Sequence, residues 1–142
     1  MLRRTAARWA VTSLAAIAAL GGLAACGSSK SDAAKARDTV KTFLSGAARG
    51  DGAKACSQLS TPTRSQIDAS GQGSCATIIG QLGGKLTSQQ KTKVDNVDPK
   101  VTVHGKTATA TYQSVTGPGM RTVLLVKEGS NWRISGLPNG GN

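Results

Sequence analysis

Residues 101–134 read VTVHGKTATATYQSVTGPGMRTVLLVKEGSNWRI, and the period of this stretch decides the fold. Ala108, Ala110 and Tyr112 alternate with Thr107, Thr109 and Thr111, so one face is apolar and the other hydroxylated, as a half-buried strand requires. Val101-Thr102-Val103 precedes it, and a tight turn at His104-Gly105 would join the two as a hairpin running to Val115. Gly117-Pro118-Gly119 turns the chain again. Thr122 to Lys127 is apolar on both faces and reads as a central strand. Glu128-Gly129-Ser130-Asn131 makes the next turn, and Trp132, Arg133 and Ile134 alternate in a last strand. The period of two is expected to set in at Val94. Together these segments predict an antiparallel meander of about four strands.

Upstream the period is helical. Ser31 or Asp32 can cap a helix whose apolar face is Ala36, Val40, Phe43, Leu44 and Ala47, opposite Lys35, Asp38 and Lys41. Gly50 is a natural left-handed stop, and Asp51 can cap the next helix, through Ala55, Cys56 and Leu59. Thr61-Pro62 reads as cap plus first-turn proline for a turn carrying Ile67. After Gly71-Gln72-Gly73, the residues Cys75, Ile78, Ile79 and Leu82 recur at helical spacing until Gly83-Gly84. Residues Thr87 to Lys93 are polar, with room for one last turn. Helices first and a meander second predict an α+β domain over residues 33–137, with the helices on one face of a curved sheet.

The 142 residues allow one modest domain. Aromatics are 3% of the chain, so its core must be built from Ala, Val, Leu and Ile. The first residues divide differently. Met1 to Arg8 is basic, Trp9 to Leu20 is uncharged and mostly apolar, and Leu23-Ala24-Ala25-Cys26 follows Gly21-Gly22. Those are the parts of an export signal, and the apolar stretch falls short of the roughly 20 residues of a membrane span. Leu23-Ala24-Ala25-Cys26 resembles the lipobox of bacterial lipoproteins. That resemblance implies lipid on the Cys26 sulfur and removal of residues 1–25. Arg3-Arg4 hints at twin-arginine export, but Thr5-Ala6-Ala7 lacks the apolar pair that normally follows. Residues 26–32 would then be a lipidated flexible tether, and residues 138–142 a Gly-rich tail.

Three cysteines are an odd number for an exported chain. With Cys26 assigned to lipid, Cys56 and Cys75 form one pair, expected to be oxidised outside the cytoplasm; two buried free thiols are the alternative. Two cysteines and the lone His104 cannot supply four metal ligands.

The opening helix ending in Phe43-Leu44…Gly50-Asp51, the Cys56…Cys75 pair, the strand Lys106 to Ala110 and the closing Val123 to Lys127…Trp132-Arg133-Ile134 together resemble small lipoproteins of high-GC Gram-positive bacteria with a nuclear-transport-factor-2-like (cystatin-like) domain. The resemblance implies a cone of helices against a bent sheet, with a cavity between them that Phe43, Tyr112 and Trp132 would line. Relatives of that fold include ketosteroid-isomerase-like and dehydratase-like enzymes and many pure binding modules.

An enzyme of that type needs an acid or base inside the cavity. His104 falls at a hairpin tip, Asp95 and Asp98 near the start of the sheet, Asp38 on a polar helix face and Glu128 in a turn. Tyr112 faces inward, where its hydroxyl is expected to reach a backbone group. No nucleophile elbow or phosphate loop is present, and no cofactor motif is visible. Arg49-Gly50-Asp51 spells an adhesion tripeptide that a helix-to-turn junction explains. The formal charge is +11; the 18 basic residues less Arg3, Arg4 and Arg8 leave 15 against 7 acidic ones after Cys26, a net +8. These cations are scattered with no aromatic platform, which disfavours nucleic acid and suits anionic lipid or acidic wall polymer. The sequence thus predicts a non-enzymatic binding module, lipid-anchored on the extracytoplasmic face of the cell membrane, taking a small apolar ligand or a protein partner. An isomerase-type enzyme and a structural envelope-assembly protein are the alternatives.

Overall fold

Ser31 opens the first helix: its side chain accepts a hydrogen bond from the Ala34 N–H and so satisfies one of the free amides of the first turn. In the computed structural model, which describes residues 30–137, five helices precede a four-stranded sheet among those residues. They are α1 (Asp32–Ala48), α2 (Gly52–Cys56), α3 (Thr61–Asp68), α4 (Cys75–Gly84), α5 (Ser88–Asp95), β1 (Lys100–His104), β2 (Thr107–Gln113), β3 (Met120–Glu128) and β4 (Asn131–Gly136). The sheet is antiparallel, in the order β1-β2-β3-β4. The fold is α+β. The segment 1–25, Cys26 and the tail 138–142 lie outside the described residues.

α1 packs across β1, β2 and β4. Its face of Ala36, Val40 and Phe43 meets Ala108, Ala110 and Tyr112 of β2, Val123 and Leu125 of β3, and Trp132 and Ile134 of β4 in one buried cluster. Among the described residues only one side of the sheet is covered. On β3 the alternate residues Val123 and Leu125 are 1% exposed, whereas Leu124 is 52% and Met120 58% exposed. The run that looked apolar on both faces is therefore buried on one.

Several local expectations are corrected. The second helix stops at Cys56, and Leu59 makes a parallel bridge to Ile134 instead. There the Ser60 N–H donates to the Ile134 carbonyl (2.8 Å) and the Ile134 N–H to the Gln58 carbonyl (2.9 Å), so residues 58–60 cover part of the β4 edge. The cap of α3 is Ser60, whose hydroxyl accepts from Thr63 N–H, and Thr61 is already helical. The polar stretch after Thr87 is a full helix, α5, held by a capping box in which Thr87 and Gln90 satisfy each other's amides. It runs through Val94, so the strand period begins at Lys100, after Pro99, and not at Val94. The first hairpin turns on Gly105-Lys106, with His104 paired to Thr107. Leu82 points outward at 45% exposure. As expected, α4 closes at Gly83-Gly84, with Lys85 as its C-cap.

Cys56 and Cys75 are joined in a disulfide, their Cα atoms 6.1 Å apart. It clamps α2 onto α4. Gly50, at φ 75°, turns the chain out of α1, and Asp51 caps α2 through the Lys54 N–H. The Arg49-Gly50-Asp51 tripeptide is thus a helix stop followed by a helix cap, with Arg49 bonded to Asp95.

Candidate functional site

The β1–β2 turn Gly105-Lys106 and the β3–β4 turn Gly129-Ser130 sit at one end of the sheet: the Lys127 N–H donates to the Lys106 carbonyl (2.8 Å), and Glu128 pairs with Asn131. The start of α1 is fastened to the same end. Lys127 Nζ donates to both carboxylate oxygens of Asp32, at 3.0 and 2.8 Å, and Trp132 Nε1 donates to Oδ1 at 3.2 Å. Lys127 Nζ also lies 5.9 Å from the centre of the Trp132 ring. Partners almost 100 positions apart in sequence are brought together, so the segment entering α1 is tied to the β3–β4 hairpin.

The Lys127 ammonium, and next the Trp132 indole N–H, hold the Asp32 carboxyl below the usual carboxylate range. A group with a depressed folded pKa stabilises the fold above its unfolded pKa and loses that contribution as pH falls through the folded value. Asp32→Asn is therefore expected to be less stable than the wild type at neutral pH and equal to it in strong acid. Denaturation midpoints of both proteins across that acid range measure this; a constant difference would show that the clamp is not electrostatic.

Beside the clamp, a cleft of about 380 Å³ opens between α1, Gln58 and the β3–β4 hairpin. Lys35, Asp38 and Thr39 line it from α1, and Ser130, Asn131, Trp132 and Arg133 from the hairpin. Thr39 fixes the distance between the two walls by donating its hydroxyl to the Trp132 carbonyl (3.1 Å). Asp38 is bonded to Lys30. At the opposite end a second cleft, about 490 Å³, is bordered by Lys93, Asn96, Val97 and Asp98 after α5, and by Gln113, Ser114 and Val115 at the end of β2. A third, about 240 Å³, lies between Lys41 and Ser45 of α1, Lys54 of α2 and Asp95. Polar side chains line all three, although more of the exposed lining is apolar than polar in the first two.

Of the residues expected to line a cavity, Phe43 (7% exposed), Tyr112 (6%) and Trp132 (1%) belong to the packed core, and of these Trp132 also borders the cleft beside the clamp. The Tyr112 hydroxyl has no hydrogen-bond partner among the described residues; burial pushes its pKa up, and the Arg121 guanidinium partly opposes that. His104 is exposed at the hairpin. Asp95 is bonded to Arg49, Asp98 lies 3.7 Å from Arg37, and Glu128 accepts from the Thr61 N–H. The sequence reading missed the Asp32–Lys127–Trp132 clamp, because Asp32 looked only like a helix cap. Searches against family models, curated proteins and solved structures each returned no match.

Among the described residues no helix is long and apolar enough to cross a membrane.

Proposed function

We propose that this protein is a lipoprotein anchored by Cys26 on the extracytoplasmic face of the cell membrane, carrying a nuclear-transport-factor-2-like domain that acts as a non-enzymatic binding module. The observation that carries this reading is the Cys56–Cys75 bridge. It accounts for two of the three cysteines, fits an oxidising compartment, and leaves Cys26 alone behind Leu23-Ala24-Ala25. A layer of helices on one face of a four-stranded meander supports the fold assignment. Against an isomerase-like site, the charged group acting on the Tyr112 phenol is Arg121, a cation that offers no proton acceptor.

A protein partner is the second reading, and the outer sheet face favours it: Met120 and Leu124 stand exposed there among Thr109, Thr111 and Thr122.

Metabolic labelling with an alkyne fatty acid, followed by membrane fractionation, tests the anchor. The wild type is expected to be labelled, membrane-bound and shortened by residues 1–25. Cys26→Ala is expected to be unlabelled and either released or unprocessed. Equal membrane retention and processing of the two proteins would overturn the reading.

A further inference from the structure

At the end of the domain where α1 begins, acidic side chains already have partners. Asp32 is bonded to Lys127, Asp38 to Lys30, and Glu128 accepts from the Thr61 N–H. Lys35 and Arg133, which line the 380 Å³ cleft together, are in no ion pair among the described residues. Both side chains are half-buried. Gln58, Ser130 and Asn131 add amide and hydroxyl donors to the same cleft. Two cations free of direct ion pairs, beside neutral donors and an Asp38 carboxylate already engaged by Lys30, suit an anion with several acceptor oxygens, and a guanidinium can engage two such oxygens at once.

The geometry points to a phosphate-ester site formed by Lys35 and Arg133, which takes the glycerol-phosphate headgroup of an anionic lipid or the same ester free in solution. The lipid source rests on the anchor at Cys26 proposed above. Four residues lie between Cys26 and Ser31, and the five steps at about 3.5 Å each span at most roughly 17 Å. The end of the domain that starts α1 is thereby held near the bilayer, and the cleft beside Asp32 lies at that end. The clamp of Lys127 and Trp132 on Asp32 fixes the start of α1 to the cleft wall, so the cleft stays at the anchored end.

Trp132 is the only tryptophan after Cys26, and it borders the cleft. The test uses mature lipidated protein in phosphatidylcholine vesicles doped with a dansyl lipid. Energy transfer from Trp132 to the dansyl group is expected to rise as phosphatidylglycerol replaces phosphatidylcholine. Lys35→Gln and Arg133→Gln should each raise the phosphatidylglycerol needed for half the rise about fivefold, the worth of one basic residue at such a surface. Lys85→Gln, outside the cleft at the end of α4, should leave it unchanged. Glycerol phosphate added to the protein on pure phosphatidylcholine vesicles forms the second arm, read by Trp132 emission. A response to phosphatidylglycerol alone assigns the lipid as source, and one to glycerol phosphate alone assigns the free ester. A response to both assigns the shared chemistry. Silence in both arms overturns the site, as does an equal effect of Lys85→Gln and Lys35→Gln. Failure to float with pure phosphatidylcholine vesicles overturns the anchor instead, and the glycerol phosphate arm in solution still decides the site.

Discussion

Gly52→Ala is expected to destabilise the domain by about 3 kcal/mol or more, because no space exists for a single methyl group. A Cβ at Gly52 would stand 1.7 Å from the Ala76 carbonyl oxygen and 2.8 Å from the Gly80 amide nitrogen. Both obstacles are backbone of α4, so no side chain can rotate away; the helices must separate. Separation is opposed by the disulfide four positions further on, which holds Cys56 to Cys75. The strain therefore stays in the native state. Domains of this size are stable by only about 5–15 kcal/mol in total, so the loss is large. Gly84→Ala is the control: it lies in α4 with no atom within 4 Å of the new Cβ. Alanine there should cost nothing and gain up to about 1 kcal/mol from helix propensity. Urea unfolding of both variants at unchanged m-value measures the contrast. Similar midpoints for the two would show that α2 and α4 are not in backbone contact.

Removing the bridge as Cys56→Ala with Cys75→Ala should cost about 3 kcal/mol. In the chain-entropy model that is the worth of closing a loop of about 20 residues in the unfolded chain, and the two cysteines are 19 positions apart. Both side chains are buried, at 6% and 5% exposure, so the alanine variant also loses some packing. Intact-mass analysis of the wild type should show a gain of two hydrogens on reduction. The same unfolding assay then measures the loss, and a bridgeless variant with the same midpoint as the oxidised wild type would remove the staple from the account. Coupling between the two predictions is itself measurable. Without the bridge α2 can move off α4, so Gly52→Ala should cost less in the bridgeless background than in the wild type, and the two losses should be less than additive in the double-mutant cycle.

The order of elements was legible because it rests on local signals. Ala108, Ala110 and Tyr112 face the core as their alternation required, Gly50 and Asp51 make the stop and the cap, and counting cysteines singled out the pair that is bonded. Cap identity was legible only to within a residue or so, since Ser60 and Thr61 carry the same hydroxyl and either can serve. Helix α5 was under-read: its polar surface gives no apolar stripe, and its signal is the Thr87–Gln90 capping box with buried Val94 behind it.

Sequence by itself determined which segments become helix or strand, because a cap, a glycine stop and a period of two or 3.6 act over a few residues. Tertiary structure alone decided what those segments meet. Leu59 leaves helical geometry to bridge Ile134, Leu124 stays in solvent while Leu125 is buried, and Gly52 presses on Ala76. Asp32 finds Lys127 and Trp132 only after α1 has crossed the sheet. The physical reason is range: such contacts depend on the closing of long loops against a shared core, and no spacing along the chain encodes which distant partner will be waiting there.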